Sequence, residues 1–219
     1  SLVTGGGGFM GRHLVRALSA RGDAVVVAER TVPPAPGTLP AGVGWETVDL
    51  ADPQAAGPLV ASVRPERVYH LASAVDVRRE LGILDEQVRT TQMAAVYVAR
   101  ACLEQRVGRL VHVGTCEEYG NGPAPFRETQ DPAPVSPYSA AKAAATAFVR
   151  MLCSSFGLHA VVVRPFLTYG PGQGVNQMIP ALITSALAGR DFPMTGGEQT
   201  REFNYVGDIV QGLVAAGEV

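Results

Sequence analysis

Thr4-Gly5-Gly6-Gly7-Gly8-Phe9-Met10-Gly11, directly after the apolar pair Leu2-Val3, decides how the rest of the chain is read. A sharp strand-to-helix turn that lets a pyrophosphate approach the backbone needs residues without Cβ. The helix behind it aims free N–H groups and its positive dipole end at the phosphates. Gly5, Gly8 and Gly11 supply such positions, with Phe9 and Met10 at the helix start. The run also fits G-x-G-x-x-G through Gly6, Gly8 and Gly11, so spacing alone leaves each glycine's part open, and a glycine run can also be a flexible loop.

The next twenty residues remove most of that ambiguity. Leu14, Val15 and Leu18 recur at helical spacing before Gly22, a stop signal. Ala24-Val25-Val26-Val27-Ala28 then reads as a buried strand ending in Glu29, roughly 20 residues beyond the glycines, where a ribose-binding acid belongs. Glu29 suits the ribose hydroxyls of NAD and repels a 2′-phosphate, whereas the adjacent Arg30 could hold one. NAD is therefore expected over NADP, with NADP kept open.

Composition sets the outer bounds. The 219 residues are 47% apolar and 17% charged, an ordinary globular balance with length for one large core or for a core plus a small lobe. A net charge of −2 argues against a nucleic-acid or membrane-surface role, and no apolar run approaches the roughly 18 residues of a membrane helix. Cys102, Cys116 and Cys153 are widely spaced, without metal-ligand pairing, which points to no metal and a reduced, cytoplasmic setting. Ser1 falls inside the first expected strand, so the amino end reads as trimmed.

The middle of the chain alternates strands and helices, the pattern of a parallel sheet covered on both faces. Thr31 to Gly44 is Pro/Gly-rich and reads as a loop. Trp45 to Val48 is a strand ending at Asp49-Leu50, which suit an adenine's amino group and face; Asp49 serves equally as a cap for a helix over Asp52 to Val63. Arg67 to Ala72 is the next strand, with His70 packed inside it and Leu71, Ala72 and Ser73 letting a cofactor lie across the strand end. Leu84 to Gln105 reads as one long helix, and Leu110 to Val113 as a strand running into Gly114-Thr115-Cys116-Glu117-Glu118-Tyr119-Gly120.

Tyr138-Ser139-Ala140-Ala141-Lys142 places a phenol and an ammonium four residues apart, on one face of a helix. A nearby cation favours the phenolate, so Lys142 is expected to lower the Tyr138 pKa towards the range of a general base. A pair of this spacing alone is common on surface helices; behind a dinucleotide turn it gains meaning.

With these residues in hand, the chain resembles an extended short-chain dehydrogenase/reductase of the NAD-dependent epimerase/dehydratase family, whose members mostly act on nucleotide sugars. The resemblance is carried by T-G-G-G-G-F-M-G at 4 to 11, D-L at 49 to 50, H-L-A at 70 to 72 and V-G-T-C-E-E-Y-G at 113 to 120. It continues through S-P-Y-S-A-A-K at 136 to 142, R-P-F-L-T-Y-G-P-G-Q at 164 to 173 and R-E-F-N-Y-V-G-D at 201 to 208. It implies an α/β fold: a Rossmann-type doubly wound parallel sheet over residues 1–172, with part of a small substrate lobe over 173–219, interleaved with the last Rossmann elements.

The resemblance also implies roles. Tyr138 exchanges a proton with a sugar oxygen, Thr115 hydrogen-bonds that oxygen, and Lys142 also holds the nicotinamide ribose. Pro165 and Phe166 pack by the nicotinamide, and Arg201 pairs with the substrate diphosphate. Glu117 stands where dehydratases of the family abstract a ring proton. Cys116 departs from their usual Asp or Ser and is a poorer acid than Asp. Leu167 replaces a common Asn and cannot make its hydrogen bond; Thr91 similarly stands near another usual Asn. Gln177 joins Cys116, Glu117, Leu167 and Arg201 among the substrate-facing residues.

Similar proteins usually continue beyond Tyr205-Val206-Gly207-Asp208 for several dozen residues, so the substrate lobe is expected to look incomplete. A homodimer through the helices at Leu84 to Gln105 and Tyr138 to Phe156 is implied as well. Three functions stay open: an enzyme that recycles bound NAD in epimerising or dehydrating a nucleotide sugar by hydride transfer at C4, a reductase of a 4-keto-6-deoxy nucleotide sugar, or a non-catalytic dinucleotide sensor.

Overall fold

The structure, a computed structural model, describes residues 1–219 except Pro36, Thr195 and Gln199. Among these residues six strands form one parallel sheet: β1 (Leu2–Thr4), β2 (Val26–Glu29), β3 (Gly44–Thr47), β4 (Arg67–His70), β5 (Arg109–Val113) and β6 (Ala160–Val163). Their spatial order is β3-β2-β1-β4-β5-β6, the order of a doubly wound dinucleotide fold. The helices are α1 (Phe9–Ala20), α2 (Ala56–Val63), α3 (Leu84–Gln87), α4 (Ala94–Glu104), α5 (Pro137–Phe156), α6 (Met178–Leu187) and α7 (Val206–Ala216).

Apolar residues on both faces of each strand explain why the sheet is sandwiched. Leu2, Val68 and Leu110 point to one core, shared with Leu59 and Val60 of α2, Val98 and Cys102 of α4, and Val149 of α5. Their chain neighbours Val3, Tyr69 and Val111 point to the other, shared with Leu14, Val15 and Leu18 of α1 and Val206, Val210 and Leu213 of α7. Side chains alternate along a strand, so these runs must be covered on both sides. The winding reverses at β1, where Thr4 pairs with Ala28 on one side and His70 on the other. A crevice therefore opens beyond the carboxyl ends of β1 and β4.

Element boundaries differ from the sequence reading where side chains compete for the backbone. The helix expected from Asp52 starts instead at Ala56. Asp49 accepts the Ala51 N–H at 3.0 Å and Asp52 the Gln54 N–H at 2.9 Å, holding that stretch in turns. The long helix expected from Leu84 to Gln105 is broken by a π-helical turn, Val88–Met93, between α3 and α4. The loop over 31–44 is irregular up to β3 at Gly44, with Pro36 outside the described residues.

Beyond the sheet, β7 (Leu167–Tyr169) pairs in parallel with β8 (Phe203–Tyr205). Between them α6 buries none of its residues. After β8, α7 returns to the central core beside α1. Among the described residues no helix is long and apolar enough to cross a membrane.

Candidate active site

The glycine turn has the shape its sequence demands. Gly5 has φ +70°, a left-handed conformation, and a Cβ there would press on the Leu71–Ala72 backbone. A Cβ on Gly11 would run into the Gly5 carbonyl, so α1 can begin close against the turn only without one. Gly8 is extended and caps α1 with no side chain, which leaves the positive end of the helix facing open space. Glu29, at the end of β2, reaches across and accepts the Gly7 N–H at 2.7 Å. An anion fits the helix end and hydroxyl donors fit the carboxylate, as a dinucleotide requires.

A cleft of about 710 Å³ runs from this turn across the strand ends. One end is walled by Gly5, Gly8, Phe9, Met10, Gly11, Glu29, Arg30, Asp49 and Leu50, with Leu71, Ala72 and Ser73 in the middle. The other end presents Thr115, Cys116, Glu117, Tyr138, Pro165, Phe166, Leu167, Gln177 and Arg201. Asp49 lines the cleft and, rather than capping a helix from Asp52, accepts the Ala51 N–H in a turn, with Arg89 at 3.6 Å. Arg201 lies exposed at the rim and donates to the neighbouring Thr200 carbonyl at 2.9 Å. Lys142 is the one expected site residue outside the lining: it is buried beneath the cleft, its Nζ donating to the Val113 carbonyl at 2.8 Å.

Tyr138 owes its place to the start of α5. Ser136 Oγ accepts the Ser139 N–H at 3.1 Å, Ser139 Oγ accepts the Ser136 N–H at 2.9 Å, and Pro137 occupies the first turn. The helix therefore begins at a fixed residue, putting Tyr138, Lys142 and Thr146 on one face. The expected lowering of the Tyr138 pKa is not found. Burial pushes the phenol up to about 12, only partly offset by the hydroxyls of Thr115 and Ser73. The Lys142 ammonium is turned to the Val113 carbonyl.

Lys142 itself is pushed down to about 8 by burial, partly countered by the Glu118 carboxylate. Below that pH both folded and unfolded chains carry its proton, and the buried charge weighs against folding. Between the folded value and the ordinary 10.5 only the unfolded chain holds the proton, so stability rises with pH. Comparing urea unfolding of the native chain and Lys142→Met cancels other groups: the native chain is expected to gain about 2 kcal/mol on the variant between about pH 7 and pH 9.5. A pH-independent difference would refute the buried charge.

Around Thr115 the backbone makes a tight turn. Thr115 Oγ1 accepts the Glu117 N–H at 3.3 Å, which leaves its own proton free to donate into the cleft. Burial, with the Glu117 charge adding, pushes the Cys116 thiol up to about 11, so it stays a neutral lining group. His70 is packed as expected: Nδ1 meets Thr4 Oγ1 at 2.8 Å, the ring stacks on His112 with centroids 5.7 Å apart, and burial pushes its pKa down to about 3.

Several cleft residues escaped the sequence reading. Thr90 lines the cleft, while Thr91, also in the π-helical turn, donates to Gln87 Oε1 at 3.0 Å. Gln173 lines the cleft and donates to the Thr168 carbonyl at 2.9 Å, its Oε1 buried and unpartnered. Glu118, fully buried, and Arg164 form an ion pair at 2.7 Å behind Thr115. The only hint of it was a second Glu beside Glu117. Among the described residues no group of His, Cys, Asp and Glu is arranged to hold a metal ion, and Cys102, Cys116 and Cys153 are free.

Strand order, glycine turn and strand-end acid together define a Rossmann-type dinucleotide-binding protein. More narrowly, the chain belongs to the NAD dependent epimerase/dehydratase family, whose model matches residues 1–219. It is 33% identical over 234 residues to a dTDP-glucose 4,6-dehydratase of Neisseria gonorrhoeae, covering 97% of this chain and 67% of that one. A UDP-glucose 4-epimerase of Mycolicibacterium smegmatis is 30% identical over 228 residues, covering 99% and 72%. Among solved structures, a UDP-glucose 4-epimerase of Thermus thermophilus, in complex with NAD, superposes with a TM-score of 0.84 at 30% identity, covering 100% of this chain and 74% of that one. The chain thus spans about two thirds of the length of the curated relatives it matches, 67% and 65% of two neisserial dehydratases.

Proposed function

We propose that this chain is the cofactor-binding and catalytic part of an enzyme that holds NAD and acts on a nucleotide sugar by hydride transfer at C4. The observation that carries the reading is a single cleft joining the glycine turn and Glu29 to Thr115, Glu117 and Tyr138. The glycine turn takes the pyrophosphate, Glu29 the adenosine ribose, and Asp49 and Leu50 the adenine. Bound NAD supplies a hydride acceptor and donor. Tyr138 exchanges its phenolic proton with the sugar oxygen, and Thr115 donates a hydrogen bond to that same oxygen. Lys142 is the buried cation beneath this pair, and would hold the nicotinamide ribose only on turning from the Val113 carbonyl. Arg201 and Gln177 at the rim face the diphosphate, and Leu167 gives that wall an apolar patch.

The chemistry at Cys116 favours epimerisation over elimination. Cys116 stands where the resemblance implies an Asp or Ser, and a thiol is a weaker acid than a carboxyl group, so the carboxylic acid that would serve an elimination is missing at that position. Arg30, beside Glu29 in the cleft, supports a second reading, a reductase that consumes NADPH. A reduced cytoplasmic setting suits the three free thiols. Leu84, Val88, Phe148 and Met151, each 38–43% exposed around α3 and α5, give a homodimer its apolar contact.

The deciding experiment denatures freshly purified protein and identifies the nucleotide released. Near-stoichiometric NAD or NADH is expected, from a species of twice the chain mass on gel filtration. Protein that emerges empty and then binds NADPH best would replace this reading with the reductase; a monomer would remove the dimer.

A further inference from the structure

Glu118 is the only carboxylate with no exposed surface among the described residues, and it sits one residue from the cleft-lining Glu117. A buried charge is costly unless every lone pair is used, and apolar residues of similar volume often serve a core at least as well. Here three hydrogen bonds, from three separate segments, meet the carboxylate. Oε1 accepts the Thr115 N–H at 3.0 Å and the Thr146 hydroxyl at 3.1 Å; Oε2 accepts Arg164 Nε at 2.7 Å. Thr115 opens the turn after β5. Thr146 is two turns along α5 from Tyr138, on the face that also carries Lys142. Arg164 leads out of β6 to Pro165 and Phe166.

Other bonds run alongside. The Cys116 N–H donates to the Pro165 carbonyl at 3.1 Å, and Arg164 Nη1 donates to the Tyr119 hydroxyl at 3.2 Å while the guanidinium lies 5.1 Å over the Tyr119 ring. The Glu118 carboxylate touches the Thr115 turn and α5 at once, beside the Lys142 Nζ bond from α5 to the Val113 carbonyl that precedes the turn. We propose that Glu118 is a positioning residue: its carboxylate clamps the Thr115 turn to α5 and so fixes the spacing of the Thr115 and Tyr138 hydroxyls. The proposal rests on the reading of Thr115 and Tyr138 as the proton-exchanging pair. Small misplacements of such a pair weigh heavily on rate, since an error of about 1 Å can lower turnover about a hundredfold.

Glu118→Gln keeps the shape but removes the charge, and risks misfolding. Thr146→Val is the gentler probe: it keeps the volume and the Arg164 pair and deletes only the link to α5, while Thr146→Ser restores a hydroxyl. With NAD-loaded protein and dTDP-glucose or UDP-glucose, Thr146→Val is expected to lower kcat about tenfold with KM nearly unchanged, and Thr146→Ser to recover most of it. Hydrogen exchange gives a readout independent of turnover: the Thr115 amide is expected to lose protection in Thr146→Val and Glu118→Gln, while β1 and α1 amides keep theirs.

Equal kcat in Thr146→Val and the native chain, or unchanged Thr115 protection in Glu118→Gln, would overturn the clamp. If neither sugar nucleotide is turned over, the exchange experiment alone decides. Full turnover by Tyr138→Phe would instead reject the proton-exchange reading, leaving the measured protection to report on the clamp separately.

Discussion

Replacing Tyr138 by Phe is expected to lower turnover of a nucleotide sugar about a thousandfold, the contribution typical of a positioned acid or base, or about 4 kcal/mol of barrier. The fold should hardly notice. Tyr138 is buried at the start of α5, where the Ser136–Ser139 reciprocal bonds and Pro137 set the helix, and none of these needs the phenolic oxygen. Bound NAD should remain near its native stoichiometry, because the glycine turn, Glu29 and Asp49 lie at the other end of the cleft. The measurement is a progress curve with dTDP-glucose and UDP-glucose, beside quantitation of the nucleotide released on denaturation. A variant that keeps its NAD and its rate would remove Tyr138 as the proton donor. One that loses its NAD would show that the phenol binds rather than reacts.

Arg164→Met is expected to destabilise the fold by about 3–5 kcal/mol, because it strands the Glu118 carboxylate with its cation gone. For a chain of this length, that lowers Tm by roughly 10 °C. The side chains of the pair are 10% and 0% exposed, so water cannot replace the missing partner. The double variant Glu118→Val, Arg164→Met removes both charges and should regain much of the loss, which separates a stranded charge from lost packing. Scanning calorimetry reads both. A fall of only one or two degrees in the single variant would mean that water or a neighbouring donor reaches Glu118 after all.

Short-range features were the legible ones. The glycine turn, the acid at the end of β2 and the Tyr138 to Lys142 spacing each lie within a window where backbone geometry fixes which residues meet. The alternation of apolar strands and helices revealed a parallel sheet covered on both faces for the same reason, while its doubly wound order came from the family resemblance. The Glu118 clamp could not be read in this way. Its partners Thr146 and Arg164 are 28 and 46 residues away, and β5, α5 and β6 must be packed before they converge. Environment was equally hidden: spacing suggested a lowered Tyr138 pKa, whereas depth in the cleft raises it. The break at Val88–Met93 escaped for a third reason, since no Pro, Gly or other breaker in the stretch marks a π-helical turn.

The wall that carries Gln177 and Met178 is built on α6, which shares no buried residue with the central core, whereas Tyr138, Lys142 and Thr115 are embedded in the packed layers. Substitutions around Tyr138, Lys142 and Thr115 therefore meet packed neighbours on every side and are felt more strongly than those at open positions of the cleft wall. On the proposed reading, the proton-exchanging groups are the part of the cleft least open to evolutionary drift.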